Sequence, residues 1–422
     1  MTDKHITVDS IRWHSALPWL HLLRIWSLAF RVRILAVSML AVLVFSAGWR
    51  GISLLPFVEP DLSRDMLELM DPGGHSDLQR IAPIPGLKSD VEHRWLRPGM
   101  REEMPPWDGD LPRYNFPHRR LLWPSETVVR AARILFQRGN DWENVATGWT
   151  GLLWALLLWA IFGGAITRMA SVRFARDESV GARASLKFSV SKWQSFCYAP
   201  LLPLLAVGVA TAVAYGTNLF DQWITGSSGS LLAMLGFVPI LCGFCITWLL
   251  VLTVLTWPLM VVAISCEGSD GFDGLSRAFG YLLNRPAYAT WLGGLAWLLC
   301  MGISWIAWWF IDAAIWLTDW SLGDVVSKTS AEIWVLTLDA FRLAILVSLF
   351  WSATTVIYFL LRQSDDGTPL DEVYIPGPPP KAEPLPLVGV AASQQPVIER
   401  PATEPVATVG SPVVSSDSGD AP

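Results

Sequence analysis

The chain has 422 residues, of which 52% are hydrophobic and only 16% are charged, so its composition excludes an ordinary soluble protein. The net charge is −6, and no basic tract with interleaved aromatic residues occurs, which argues against a nucleic-acid partner. The five cysteines lie in or beside apolar stretches, so a disulfide scaffold is not expected. The 24 tryptophans favour a membrane protein, because Trp suits the interface between acyl chains and headgroups.

The N-terminal segment 1–33 is basic, partly amphipathic and predicted to be cytoplasmic. From Pro18 to Arg33, apolar residues recur at near-helical spacing between arginines. Two interpretations stay open, namely a helix that lies flat on the membrane and an N-terminal extension of the first spanning helix. The first apolar stretch, 34–55, is followed by no clear small-x-small site, so we expect a retained anchor instead of a cleaved signal peptide.

Residues 56–145 form a long segment that is predicted to be an extracytoplasmic loop. It is rich in Pro and in charged residues and contains several turn pairs. The pattern predicts one amphipathic helix from Glu126 to Arg138, with Ser125 as its N-cap and Gly139-Asn140 as its stop. We expect a partly ordered cap over the spans and not an independent enzyme domain.

Five further apolar stretches form a membrane region over 146–361, each long enough to cross the hydrocarbon as a helix of about 20 residues. They are 146–167, 196–215, 231–264, 289–311 and 343–361. The stretch 231–264 is long enough for a hairpin of two short spans. No polar or Gly-Pro pair marks a turn there, which favours one helix bent near Pro258. The prediction is an all-α fold, a polytopic helical membrane bundle of about six transmembrane helices with amphipathic interfacial helices.

The charges of the short loops predict the orientation. Lys and Arg are concentrated before the first span, between spans two and three and between spans four and five, and they are sparse in the other short loops. This bias places both termini in the cytoplasm of a multi-pass inner-membrane protein. The tail 362–422 is Pro-rich with few aromatic residues and is expected to be disordered. It serves either as a solvated linker or as a ligand for an aromatic groove.

The two loops that are predicted to be cytoplasmic share a pattern. Each begins with acidic residues, continues with an amphipathic stretch and ends on a basic residue, Lys192 or Arg285, before the next span. The acidic residues are Asp177 and Glu178 in the first loop and Glu267, Asp270 and Asp273 in the second. The shared pattern suggests an internal duplication.

In the second loop, Ser269 or Asp270 is a candidate N-cap for an amphipathic helix. Its apolar face would carry Phe272, Leu275, Phe279 and Leu282. Both amphipathic stretches are expected to lie in the inner interface and to lead into the next span.

Three segments carry a resemblance to known proteins. They read GGAITRMASVRFARDE, EGSDGFDGLSRAFGYLLNRP and YFLLRQSDDGTPLDEVY. With them, most of residues 15–375 resembles a family of uncharacterised multi-spanning membrane proteins found in planctomycete-type bacteria, which implies an all-helical membrane fold and no particular activity. The second loop also faintly resembles the membrane domain attached to some glycerophosphodiester phosphodiesterases. The chain lacks their catalytic domain, so no active-site residue is carried over.

Charged residues in or near the last two spans are candidates for function. Asp339 and Arg342 are three residues apart on one helix face, and Asp312 on the neighbouring span is a third member. Three interpretations remain open for this polar cluster: a proton or ion relay, a structural ion pair, and simple exposure at the outer interface.

The acidic residues of the second loop have two interpretations. Glu267, Asp270 and Asp273, interleaved with glycines, would either hold a divalent cation or cap a helix and pair with Arg277 or Arg285. An EF-hand pattern is absent, which favours capping. These five residues form a candidate cytoplasmic interaction loop.

Other motifs point to packing and not to chemistry. Cys242 and Cys245 form a CxxC inside a span without a nearby His, which is more typical of small buried residues than of a metal or redox site. The pairs Gly163-Gly164 and Gly293-Gly294 predict close helix approach. The six histidines are widely spaced, and no HExxH, GxSxG or Walker-type motif occurs. No catalytic, cofactor or metal residue is assigned, and an enzyme is not expected.

Two functional hypotheses follow. The first is a structural, regulatory or partner-binding membrane component that contacts membrane lipids and offers its cytoplasmic loops and tail to protein partners. The alternative is a small-solute or lipid transporter that uses Asp312, Asp339 and Arg342.

Overall fold

The structure is a computed structural model that describes residues 17–58, 121–136, 141–225, 236–322 and 328–375. Within these ranges the chain is helical and contains no strand. Six helices are long and apolar enough to cross a membrane, which confirms the predicted all-α membrane bundle. They are Val32–Ser53, Trp142–Arg176, Trp193–Ile224, Phe237–Glu267, Pro286–Ala314 and Thr337–Asp366.

The helices follow one another with short breaks. The N-terminal half contains a 3-10 helix (Pro18–Leu23), α1 (Arg24–Ala29), α2 (Val32–Ser53), α3 (Trp123–Leu135), α4 (Trp142–Leu158), a π-helical segment (Trp159–Gly163) and α5 (Gly164–Arg176). The C-terminal half contains α6 (Ala182–Ser191), α7 (Trp193–Thr225), α8 (Phe237–Glu267), α9 (Gly271–Asn284), α10 (Pro286–Leu322) and α11 (Lys328–Asp366). The second span therefore consists of α4, the π-helical segment and α5.

Helix α11 lies at the centre of the bundle. Every residue from Leu343 to Leu361 is buried except Ile357, which is partly exposed. The helix packs against α2, α5, α8 and α10, and an apolar helix that is buried on all sides belongs in the interior of a large bundle.

The N-terminal segment packs against this centre. Helix α1 is separated from α2 by a break at Arg31, whose backbone is extended, so α1 is not a continuation of the first spanning helix. Ile25 and Leu28 are buried, and the Ser348 hydroxyl donates to the Ala29 carbonyl oxygen at 2.6 Å. The apolar face of α1 therefore packs on the protein. Residues 1–16 lie outside the described ranges.

Four tryptophans form a buried chain of rings in the bundle. The ring centroids of Trp123 and Trp159 are 5.6 Å apart, those of Trp159 and Trp351 are 5.8 Å apart, and those of Trp257 and Trp351 are 5.5 Å apart. The interfacial role expected from composition is wrong for these four residues, because their large rings fill the interior and pack mostly edge to face.

Helix α3 is part of the bundle and not a free amphipathic helix of the outer loop. It begins at Trp123, with Pro124 in its first turn and without a side-chain cap, so the predicted Ser125 cap and the 126–138 bounds are wrong. Trp123 and Ile134 are buried, and the helix packs against α4. The rest of the predicted loop, 59–120, lies outside the described residues.

The two glycine pairs behave differently. A Cβ atom on Gly163 would lie 2.7 Å from the Trp351 ring, and one on Gly164 would lie 2.9 Å from the Ser189 hydroxyl. Around Gly293 and Gly294 the space is open, so the expected close approach there is wrong. Helix α10 packs through the face of Leu292, Ala296 and Cys300, and that face does not include the glycines.

Helix α8 is one continuous helix from Phe237 to Glu267 with Pro258 inside it, so a hairpin of two short spans is wrong for this stretch. Residues 231–235 of the predicted span lie outside the described part. The helix ends at Gly268, whose φ of 65° lies in the left-handed region that favours glycine.

The two short connecting helices are arranged alike. Helix α5 ends at Asp177 and α8 ends at Gly268, both in the left-handed conformation. A short helix, α6 or α9, follows each ending, and a single non-helical residue, Lys192 or Arg285, then precedes the next long helix. This recurrence agrees with the shared loop pattern, while the internal duplication stays a prediction.

The chain continues in an ordered form beyond the last span. Helix α11 runs to Asp366, and residues 367–375, which we call the strap, lie against the ends of α5 and α8. The predicted disorder from 362 onward is therefore wrong for residues 362–375, because Arg168 of α5, Arg362 of α11 and the Cys266 carbonyl oxygen of α8 bind the strap. Residues 376–422 lie outside the described part of the chain.

Candidate functional site

Three segments, residues 163–178, 267–286 and 358–374, meet at one end of the bundle. This end contains the C-terminal ends of α5, α8 and α11 together with α6, α9 and the strap, and we call it the junction end. Thr167 and Arg168 of α5 lie beside the last residues of α8, and Arg362 near the end of α11 lies beside them as well, so that charged residues far apart in sequence become neighbours.

The carboxylate of Glu267, the last residue of α8, forms ion pairs and a hydrogen bond with side chains of two other elements. Arg277 of α9 lies 2.6 Å from its carboxylate, and Arg362 of α11 lies 3.6 Å away. The Tyr358 hydroxyl donates to the same carboxylate at 2.7 Å. Hydrogen bonds to a carboxylate are stronger than neutral ones, so Glu267 ties α8, α9 and α11 together.

Helix α9 is held by further polar contacts. Arg277 also pairs with Asp273 at 3.1 Å. Burial lowers the pKa of Arg277, but the hydrogen bond to Asp273 and the charges of Glu267 and Asp273 raise it more, so the net shift is upward. The Tyr281 hydroxyl bonds to Asp366, and the pKa of Tyr281 is raised by burial and by this carboxylate. The arginine therefore stays charged and the phenol stays neutral.

The acidic residues of the second loop have separate tasks. Asp270 caps α9, because its carboxylate accepts from the Asp273 backbone N–H at 2.9 Å. Glu267 and Asp273 meet at Arg277, whereas Arg285 lies 3.9 Å from Asp365. Among the described residues, no group of three or more His, Cys, Asp or Glu side chains is arranged to hold a metal ion. The arrangement favours capping and ion pairing over the cation site.

The buried face of α9 carries mainly small residues. Gly271, Gly274 and Ala278 are buried, and a Cβ atom on Gly274 would lie 2.7 Å from Ile264 of α8. The apolar face predicted from periodicity lies beside them: Leu275, Phe279 and Leu282 are partly buried and pack against the hydrophobic core, whereas Phe272 is exposed. Three of the four predicted residues therefore pack on the protein.

Arg168 is a functional candidate that sequence reasoning missed, because it was counted only as a loop charge. It is 4% exposed and donates to the Ser265 carbonyl oxygen at 2.8 Å and to that of Tyr374. Its guanidinium also lies over the Phe188 ring at 4.8 Å. The neighbouring Thr167 and Ser265 hydroxyls are 2.7 Å apart, so α5 and α8 are joined by buried polar contacts.

Arg362 is the second buried arginine of the junction end. Besides its contact with Glu267, it donates to the Glu372 carbonyl oxygen at 2.7 Å and to that of Pro369 at 3.3 Å. Its other guanidinium nitrogen is 3.5 Å from the Cys266 sulfur. A sequence signal existed, since Arg362 directly follows a long apolar stretch, but its acceptors in the strap were not predictable.

The predicted polar cluster is brought together on α11 at the other end of its buried stretch 343–361, away from the junction end. Arg342 lies between Asp339, at 3.2 Å, and Asp312 of α10, and it also lies over the Trp308 ring at 5.0 Å. The Arg342 side chain is 8% exposed and that of Asp312 is 28% exposed. The cluster is thus a bridge between α10 and α11 that remains partly open to its surroundings.

The position of this cluster follows from the uncharged stretch beside it. Residues 343–361 contain no charged side chain, and as an α-helix they extend about 28 Å at ~1.5 Å per residue. The hydrocarbon of a bilayer is about 30 Å thick. Arg342 and Arg362 therefore lie about one membrane thickness apart along α11.

Two other candidates do not form sites. Cys245 is exposed and Cys242 is partly exposed on α8, so the interpretation of the pair as buried packing residues is wrong. His21 packs edge to face against Phe174 with ring centroids 5.9 Å apart. The remaining five histidines lie outside the described ranges.

No protein-family model matches the chain, and comparisons of the whole chain with curated proteins and with solved structures also found no match.

Proposed function

We propose that the protein is a non-enzymatic, multi-pass component of the inner membrane that binds a soluble cytoplasmic protein at its junction end. Both termini are cytoplasmic in this proposal, as the loop charges predict. The observation that carries it is the convergence of three charged segments into one interlocked cluster around Glu267, Arg168 and Arg362. Such a cluster gives the loops beside it a fixed shape, which is what a docking platform requires.

The partner's chemistry follows from the surface of α6. Arg183 and Lys187 are exposed and stand four residues apart, so they lie on one edge of the helix. The charges of Glu267, Asp273 and Asp365, by contrast, already pair with arginines of the chain itself. An outward cationic edge on a rigid platform fits an acidic protein surface.

A site-specific cross-linking experiment tests this function. A photoreactive amino acid replaces Lys187 in one chain and Trp142, which is exposed at the other end of the bundle, in a control chain. We expect one acidic soluble protein to cross-link from position 187 and not from position 142. The reversal Arg183→Glu in the chain that carries the photoreactive residue at position 187 should abolish its capture, whereas Arg133→Glu on α3 should not. Recovery of the protein alone, with reproducible solute flux after reconstitution into vesicles, would contradict the proposal.

A transporter is the second candidate, and the polar cluster is the observation that favours it. Two carboxylates, Asp312 and Asp339, contact the guanidinium of Arg342, and carboxylates beside a membrane span are candidates for carrying a cation or a proton. Its position at one end of the uncharged stretch supports an interfacial ion bridge instead. Asp312→Cys labelled only by a reagent added outside would count against transport, and labelling from both sides would favour it.

A further inference from the structure

The strap lies on the junction end as an extended peptide lies in a groove. The Tyr374 backbone N–H donates to the Cys266 carbonyl oxygen at 2.8 Å, so the strap satisfies an acceptor at the end of α8. The Tyr374 ring covers Gly268 closely enough that a Cβ atom there would lie 2.5 Å from it. Val373 is 5% exposed and is the buried apolar anchor of residues 371–375.

Two buried arginines hold the strap through its carbonyl oxygens. Arg168 donates to Tyr374, and Arg362 donates to Pro369 and Glu372. Arg168 donates to two carbonyl oxygens, those of Ser265 and Tyr374. A buried cation needs such acceptors, so removing the strap takes from Arg168 the acceptor that the Tyr374 carbonyl oxygen provides.

The strap buries fewer apolar side chains than the helices do. Asp371, Glu372, Tyr374 and Ile375 are exposed, in contrast to the fully buried core of α11. Segments with few buried apolar contacts open at a much lower free energy than the whole fold. Ile375 also leads directly into the long C-terminal extension 376–422.

We propose that the strap is a releasable cover of the junction end that couples the C-terminal extension to Arg168, Cys266 and Arg362. A protein that binds the extension close to Ile375 displaces the strap, exposes Cys266 and frees the N–H groups of Arg168 and Arg362 that face the strap for acceptors on the partner. This inference deepens the proposed function, because it states how partner binding changes the docking platform.

The thiol of Cys266 is a direct reporter of strap opening. The other four cysteines, Cys197, Cys242, Cys245 and Cys300, are replaced by Ser or Ala, and the full chain is treated with N-ethylmaleimide in mild detergent. In the intact chain we expect slow labelling of Cys266, at a rate that low concentrations of urea leave unchanged, since local opening exposes little surface. Labelling as fast as in SDS would contradict the closed strap, and a rate that follows global unfolding would contradict local opening.

Matched variants and a bound probe test the coupling. Val373→Asn removes the apolar anchor and should speed labelling by about tenfold or more, whereas Asp371→Asn at an exposed position should not. A Fab bound to an epitope inserted directly after Ile375 should also speed labelling, and a Fab at an epitope after Pro422 should not. Equal labelling with both Fabs would overturn the coupling. The assay contains no natural partner, so its failure and a failure of the cross-linking experiment are separate results.

Discussion

The ammonium group of Lys192 donates a hydrogen bond to the carbonyl oxygen of Gly268 at 2.9 Å, and the two residues are 76 positions apart in the chain. The lysine forms the break between α6 and α7, and the glycine ends α8. The carboxyl end of a helix carries partial negative charge and unpaired carbonyl oxygens, both of which attract a cation. Lys192, the last residue of the first loop, therefore caps the C-terminal end of α8, the helix that precedes the second loop.

This cap predicts a measurable loss on substitution. Lys192→Met should lower the free energy of unfolding by about 1–2 kcal/mol, because the carbonyl oxygens of α8 lose a charged donor. Lys187→Met, at an exposed position of α6, is the control and should change it by less than about 0.5 kcal/mol. Unfolding in mixed detergent and SDS measures both, and equal effects would contradict the cap.

Glu267 predicts a larger effect, because three side chains converge on it. Glu267→Gln keeps the shape but leaves Arg277 and Arg362 without their shared carboxylate, and we expect a loss of about 3 kcal/mol. Glu178→Gln, at an exposed position, should be nearly neutral. A double-mutant cycle with Tyr358→Phe should show coupling between the two sites, whereas additive losses would mean that the hydroxyl and the carboxylate act independently.

The two glycine pairs predict opposite outcomes for the same change. Gly163→Ala places a methyl group 2.7 Å from the Trp351 ring and should cost about 1–3 kcal/mol through overpacking. Gly293→Ala enters open space in α10 and should leave stability unchanged or raise it by up to about 1 kcal/mol. Thermal unfolding in one detergent compares them, and a costly Gly293→Ala would reveal packing at that face.

Tyr281 predicts a pH dependence in the alkaline range. Burial and the Asp366 carboxylate raise the pKa of Tyr281 in the folded chain above its ordinary value near 10. The folded state thus holds the phenolic proton more tightly than the unfolded state does, so its contribution is complete below pH 10 and is lost as the pH rises further. Stability above pH 10 should fall more steeply in the natural chain than in Tyr281→Phe. Parallel curves would mean that the phenol does not titrate differently in the two states.

The parts of the fold that follow from local rules were predictable. Hydrocarbon admits only backbone that satisfies its own hydrogen bonds, so long apolar stretches predicted the spanning helices. The cap of α9 by Asp270 was predictable for a similar reason, since its acceptor and donor are three residues apart. Periodicity also identified the apolar face of α9, in which Leu275, Phe279 and Leu282 pack partly buried against the core and Phe272 is exposed.

The parts that depend on distant neighbours were not predictable. Arg168 finds its acceptors at Ser265 and Tyr374, roughly a hundred and two hundred positions away, and no local pattern marks them. The order of the strap depends on these same arginine contacts, so composition alone favoured disorder for it. The buried position of Trp351 likewise depends on Gly163 of another helix.

The convergence of α5 and α8 at the junction end is the claim on which the rest depends, and a disulfide between Thr167→Cys and Ser265→Cys tests it most directly. Their hydroxyl oxygens are 2.7 Å apart, whereas Thr167→Cys with Thr253→Cys is a control pair that places the second thiol three helical turns away. The five natural cysteines are replaced, and a protease site is inserted within residues 226–235. After oxidation in native membranes and cleavage, the two fragments of the first pair should stay joined until a reductant is added, and those of the control pair should separate. Separation of the fragments in both chains would contradict the account.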